Sequence, residues 1–131
     1  MILADTSAWI DYLQGKDTPA AQALDHCVGV EGLLMGDLIL VELLQGYRGG
    51  QALDDLMEDI RLFPVVSLCG PALALKAADN YRLLRRKGIT VRGTIDVVIA
   101  TWCVANDIPL IHADRDFEGM EKWLGLKRWV G

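Results

Sequence analysis

The chain has 131 residues, of which 52% are hydrophobic and 24% charged, and a net charge of −5. That length suits a single domain over residues 1–131 with a real core, and that hydrophobicity excludes intrinsic disorder. The acidic balance excludes a protein that holds nucleic acid by charge alone, although it does not exclude an enzyme whose metal handles the phosphate.

The chain alternates short apolar runs with helical patterns. Residues 1–4 predict a buried strand. Thr6 or Ser7 can cap a helix that runs to about residue 14, where Gly15 ends it. Thr18-Pro19 starts a second helix, to about residue 27. Residues 31–35 are a weak strand candidate. Asp37 then caps a helix to about residue 45, and residues 51–62 carry an amphipathic helical pattern. Val-rich residues 64–68 predict a strand. A long helix follows over 71–87, closed by Gly88, then a brief extended piece over 89–91. Gly93-Thr94 opens an apolar helix to about residue 105. Residues 109–112 predict a strand, 114–117 a loop, 117–124 a last helix and 128–130 a last short strand.

This alternation predicts an α/β fold, with a mainly parallel sheet covered by helices on both faces. The most apolar run, 33–44, has only twelve residues and contains Asp37 and Glu42. A spanning helix needs about 20, so no membrane segment is expected. The opening MILADTSAWIDYLQGK has no basic segment and meets Asp5 at once, unlike a secretory signal. Cys27, Cys69 and Cys103 are odd in number and widely spaced, which points to a reducing cytoplasm rather than a disulfide framework or a zinc site.

Acids fall where a parallel α/β sheet binds its ligands, beyond the carboxyl ends of the strands. Asp5 follows the first strand, and Asp114 and Asp116 follow the strand over 109–112. Glu42 interrupts the apolar run LILVELL, and Asp96 interrupts TIDVVIATWCVA in the first turn of its helix. Each has a plain alternative: Asp5 and Asp116 as helix caps, Asp96 as a partner of the helix dipole, Glu42 as a solvated edge residue, Asp114 as a turn residue. As a set they suggest clustered carboxylates. Such a cluster raises its own pKa values unless a hard divalent cation relieves it, and all-oxygen ligands suit Mg²⁺ or Mn²⁺. The matching chemistry is metal-assisted phosphodiester hydrolysis.

The sequence resembles the PIN-domain ribonucleases, especially VapC-type toxins of bacterial and archaeal toxin–antitoxin pairs. The resemblance covers essentially the whole chain. It rests on ILADTSAWIDYL, on LILVELLQG with Glu42, on GTIDVVIATWCVAND with Asp96, and on IPLIHADRDFEGM with Asp114 and Asp116. It implies a three-layer α/β/α fold and an endoribonuclease dependent on Mg²⁺ or Mn²⁺. The implied catalytic quartet is Asp5, Glu42, Asp96 and Asp114. The metal would be held among Asp5, Asp96, Asp114 and Asp116. Thr6 or Ser7 matches the small hydroxyl after the first acid. An RNA substrate, a small antitoxin and a homodimer are implied as partners.

The remaining signals are weaker. His112 precedes Asp114 and could contact substrate or orient a carboxylate, but a satisfied structural histidine is the expected role, and His26 is expected at the surface. Trp9 and Trp102 are expected in the core, while Trp123 and Trp129 could stack bases. The acid-free basic stretch Arg82, Arg85, Arg86, Lys87 and Arg92 could contact an RNA backbone, with Arg86 and Arg92 the candidates beside the Asp96 helix. Residues 1–60 net −9 and residues 61–131 net +4. A basic, amphipathic antitoxin tail could therefore lie among the helices around Leu13, Leu24 and Leu56 and reach Asp5 and Asp96. Dinucleotide-binding and P-loop readings fail for want of GxGxxG and GxxxxGK[ST]. Two alternatives stand: an inactive PIN-like module that binds RNA or protein, and an aspartyl-phosphate phosphotransfer domain built on Asp5.

Overall fold

The computed structural model describes residues 1–30 and 32–129. Its elements alternate as the apolar pattern requires: β1 (Ile2–Ala4), α1 (Thr6–Leu13), α2 (Pro19–Val28), β2 (Leu33–Gly36), α3 (Asp37–Leu44), α4 (Gln51–Ile60), β3 (Val65–Val66), α5 (Pro71–Arg86), α6 (Thr94–Asn106), β4 (Leu110–Ile111) and α7 (Asp116–Leu124). The four strands lie in the order β3-β2-β1-β4, all parallel. Leu3 of β1 sits opposite Leu34 on one side and Leu110 on the other. Both flanks of β1 are paired, and Leu3 and Ala4 are fully buried, so its apolar run needs no alternation.

Crossover connections between the parallel strands place the helices. The chain leaves β1 towards β2 and β3 through α1 to α4, then returns past β1 to β4 through α5 and α6. Helix α1 packs on α2 and α3, whereas α5, α6 and α7 pack on one another. Helical layers therefore flank the sheet, as the α/β/α expectation required. Helix α6 is the most deeply set, with every residue from Val97 to Cys103 buried. Its buried Thr101 hydroxyl donates to the Val97 carbonyl (2.6 Å) and accepts from the Asn80 amide of α5 (3.0 Å).

Several boundaries differ from the sequence expectation. Asp5, not Thr6 or Ser7, is the N-cap of α1, its carboxylate accepting from the Ala8 N–H. Gly36 rather than Asp37 caps α3. Asp37 instead accepts from the N–H groups of Leu38 (2.8 Å) and Leu68 (3.0 Å), tying α3 to the segment after β3. Strand β3 keeps only two of its five expected residues, because it is an edge strand with a single neighbour. The piece over 89–91 forms no strand. The expected last strand reduces to a single bridge between Arg128 and Leu110; Val130, like Glu31 of the second strand candidate, lies outside the described residues.

Strand order reverses direction between β1 and β4. This is the topological switch point, where the loops after neighbouring strands part to opposite faces and leave a crevice. Asp5 closes one side of it and the loop from His112 to Arg115 the other, with the Asp5 N–H donating to the Ile111 carbonyl (3.0 Å).

Candidate metal and nuclease site

The junction of β1 and α1 positions three side chains. Asp5 is 3% exposed. The Ser7 hydroxyl lies 2.7 and 2.9 Å from its two carboxylate oxygens. Ser7 Oγ also accepts from the Ala113 N–H (2.9 Å), so one hydroxyl ties the end of β1 to the loop after β4. Thr6 donates to Glu42 Oε1 (2.6 Å), which draws the carboxylate of α3 towards the same end of the sheet. Burial is the main force on Asp5: it raises the carboxyl from 3.8 to about 7, against the bonds from Ser7 and Ala8, with the charge of Asp96 adding to the rise.

Asp96 stands in the first turn of α6, half-buried. Its carboxyl is raised to about 6 by burial first, and then by the negative charges of Asp114, Glu42 and Asp116. Asp114 and Asp116 flank the start of α7, where Asp114 Oδ1 accepts from the Asp116 N–H (2.9 Å). Asp96, Asp114 and Asp116 each offer an oxygen within 4.8 Å of the others. The β1–α1 corner, α3, the start of α6 and the junction of β4 with α7 thus bring all five predicted acids to one end of the sheet, three of them at ligand spacing and Asp5 and Glu42 within electrostatic reach of Asp96.

These residues fit a hard divalent cation. The donors are all carboxylate oxygens, half-buried, and burial, followed by the charges of the neighbouring acids, holds the Asp96 carboxyl above its usual range. Mg²⁺ or Mn²⁺ suits this all-oxygen donor set better than Zn²⁺. Arg92 pairs with the cluster, its Nε 3.9 Å from Asp116 Oδ1 on a side chain 82% exposed. Arg86 is placed differently: it lies exposed beside Arg82 and Arg85 along α5, and no described contact joins it to the acids.

Behind the acids lies a support that the sequence did not reveal. His112 is buried, as expected of a structural histidine, and its ring lies 4.8 Å from that of Phe117. Burial holds its pKa below the usual value. Its Nε2 is 3.0 Å from Glu121 Oε2, and Glu121 takes both Nε (2.8 Å) and Nη2 (3.0 Å) of Arg128. His26 is exposed, and Trp9 and Trp102 are buried, as expected.

The PIN-domain family profile matches residues 2–122. Two curated relatives are each 30% identical over 129 residues, covering 97% of this chain and 96% of their own: the VapC ribonuclease Mb1587 of Mycobacterium bovis and the ribonuclease VapC11 of Mycobacterium tuberculosis. Among solved structures, FitAcB from Neisseria gonorrhoeae superposes with a TM-score of 0.74 at 20% identity, over 98% of this chain and 96% of that one. VapBC2 from Rickettsia felis, bound to a DNA fragment from its promoter, gives 0.70 at 13% identity, over 98% of both chains. The fold, the order of the acidic motifs and these likenesses agree: the chain belongs to the PIN-domain family, among the VapC ribonucleases.

Proposed function

We propose that this protein is a Mg²⁺- or Mn²⁺-dependent endoribonuclease that acts as the toxin of a toxin–antitoxin pair. The observation that carries the reading is the meeting of Asp96, Asp114 and Asp116 at the switch point, beside buried Asp5 and Thr6-held Glu42. Asp96, Asp114 and Asp116 would hold the cation, with Asp5 completing the set from the end of β1. When bound, the cation supplies Lewis-acid polarisation of the scissile phosphate and lowers the pKa of the attacking water. Asp5, raised to about 7, would give up its proton to hold the cation, and Asp96, at about 6, is largely ionised at neutral pH already. Ser7 keeps the Asp5 oxygens aimed, and Thr6 does the same for Glu42, which stands as the remaining carboxylate available to a proton of the attacking water. Arg92, long and exposed beside Asp116, is placed to meet the RNA backbone, and Arg86 would extend that contact along α5.

The partner proposed is a small antitoxin with a basic, amphipathic tail. In its support, a solved structure of the same fold from Klebsiella pneumoniae is a toxin–antitoxin complex. The acidic half of the chain carries a groove between α1, α2 and α4, lined by Trp9, Tyr12, Leu13, Val28, Leu56 and Leu62. Leu13 is 40% and Leu62 78% exposed there, ready to take an apolar helix face. Leu24, expected to line this surface, is instead fully buried in the core and unavailable to a partner. The three cysteines are free, in keeping with a reducing cytoplasm, and among the described residues no helix is long and apolar enough to cross a membrane. Pairing of two copies is the expected assembly, to be read by light scattering.

The test is incubation of the pure protein with structured RNAs in Mn²⁺, in Mg²⁺ and in EDTA. Cleavage that needs the cation supports the reading, and cleavage that persists unchanged in EDTA overturns it. RNA bound but never cut under any condition would instead favour the inactive binding module.

A further inference from the structure

The loop that carries Asp114 is held by a chain of hydrogen bonds that starts at the other end of the protein. The segment after α7 runs beside β4: the Leu110 N–H donates to the Lys127 carbonyl (2.9 Å), and the Trp129 N–H to the Leu110 carbonyl (2.9 Å). Arg128, fixed between these two bonds, forks onto both oxygens of Glu121 on α7. Glu121 Oε2 faces His112 Nε2 at 3.0 Å. On the opposite side of the ring, His112 Nδ1 accepts from the Asp114 N–H (3.3 Å). The tautomer follows from these partners. Nδ1 must be bare to accept the amide proton, so Nε2 carries the ring hydrogen and gives it to the carboxylate. A carboxylate fixed by a bidentate arginine is a charged and well-oriented acceptor for it.

We infer that His112 is a positioning residue for the metal ligand Asp114, and that Glu121 and Arg128 fix it in that role. The inference rests on the reading of Asp96, Asp114 and Asp116 as the cation site. The bond from the Asp114 N–H to a side-chain acceptor two residues earlier is the geometry of an Asx turn, with an imidazole in place of an amide. It sets the backbone at Asp114, whose Oδ1 in turn sets the Asp116 N–H. Two of the three clustered acids therefore depend on one ring nitrogen. Outer partners of this kind commonly govern metal affinity by 10–100-fold.

The Asx-turn geometry supplies a test that separates positioning from packing. His112→Asn keeps an acceptor where Nδ1 stands, whereas His112→Gln carries its polar atoms further out, towards Glu121. Both lose the ring against Phe117, so both should melt at lower temperature by a similar amount. Mn²⁺ affinity, read from the free-ion electron paramagnetic resonance signal of the full chain, should distinguish them. His112→Gln should bind Mn²⁺ about tenfold more weakly, and His112→Asn close to the unsubstituted protein. Equal affinities in the two variants would overturn the inference. Should either fail to fold, Arg128→Met decides the matter: its side chain is 44% exposed, and its loss should weaken Mn²⁺ binding in the same direction. Unchanged affinity there would overturn the relay. If the unsubstituted protein binds no Mn²⁺, the metal reading falls and takes the inference with it; if it binds and no variant differs, only the inference falls.

Discussion

Asp5 is buried at the end of β1, and its carboxyl lies near 7 in the folded chain against 3.8 in the unfolded one. Between about pH 4 and pH 7 the folded state therefore holds a proton that the unfolded chain has released, so the metal-free protein loses stability as pH rises through that window. Asp96 adds to the loss up to about pH 6. Glu121, held below the usual range because the bonds from Arg128 and His112 outweigh its burial, acts oppositely at more acid pH, and buried His112, held below its usual 6.5, opposes the slope up to about that pH. In EDTA the protein should melt at a lower temperature at pH 8 than at pH 5.5, and Asp5→Asn should flatten most of that slope. A melting temperature that rises from pH 5.5 to pH 8 would refute the buried, protonated Asp5. Asp96→Asn makes a sharper test of chemistry. The amide keeps the shape and loses the ligand charge, so cleavage should fall at least about 100-fold, the scale of losing one positioned catalytic group, with the fold intact by circular dichroism.

At the scale of elements, short junctions between strands and helices shape the site. The β1–α1 corner holds Asp5, Thr6 and Ser7, and each bonds to a different part of the molecule: its own helix, α3 and the loop after β4. Ser7→Ala would remove the hydroxyl shared by Asp5 and Ala113 and should weaken Mn²⁺ binding while leaving the sheet in place, as titration of the variant would show. The β2–α3 corner turns on Gly36. A Cβ there would come within 2.9 Å of Leu68 Cγ, and Leu68 is fully buried and cannot retreat. Gly36→Ala should therefore cost about 1–3 kcal/mol, measured by denaturant unfolding, as overpacked cores do. The corners were also where the sequence was hardest to read. Asp, Ser and Thr are near-equal as helix caps, so composition could not choose Asp5 over Thr6 or Ser7; the Ala8 N–H chose. Helix α6 was plain from its apolar run broken by a single acid. The shortness of β3 was not, because Val-rich sequence marks a strand but does not say how many neighbours it has.

Across the whole molecule, the strand order brings together acids that lie up to 111 positions apart in sequence. The five acids were legible because each interrupts an apolar run or follows a strand, and a parallel sheet gathers strand ends at one edge. The Arg128–Glu121–His112 support was not legible. Its members lie in ordinary polar positions, and only the run of the last segment beside β4 brings Arg128 to α7. The gathered negative charge also makes the fold a sensor of its own cation. A ligand bound only by the folded state at about 100 times its dissociation constant stabilises by about 2.7 kcal/mol, which for a domain of this size is a melting shift of about 10 °C. The most direct measurement is thermal unfolding at pH 7.5 with EDTA and with saturating Mn²⁺, on the unsubstituted protein and on Asp96→Asn. The unsubstituted protein should gain about 10 °C from Mn²⁺, while Asp96→Asn should start higher in EDTA and gain little. A melting temperature indifferent to Mn²⁺ in the unsubstituted protein would contradict a preformed cation site at the end of this sheet.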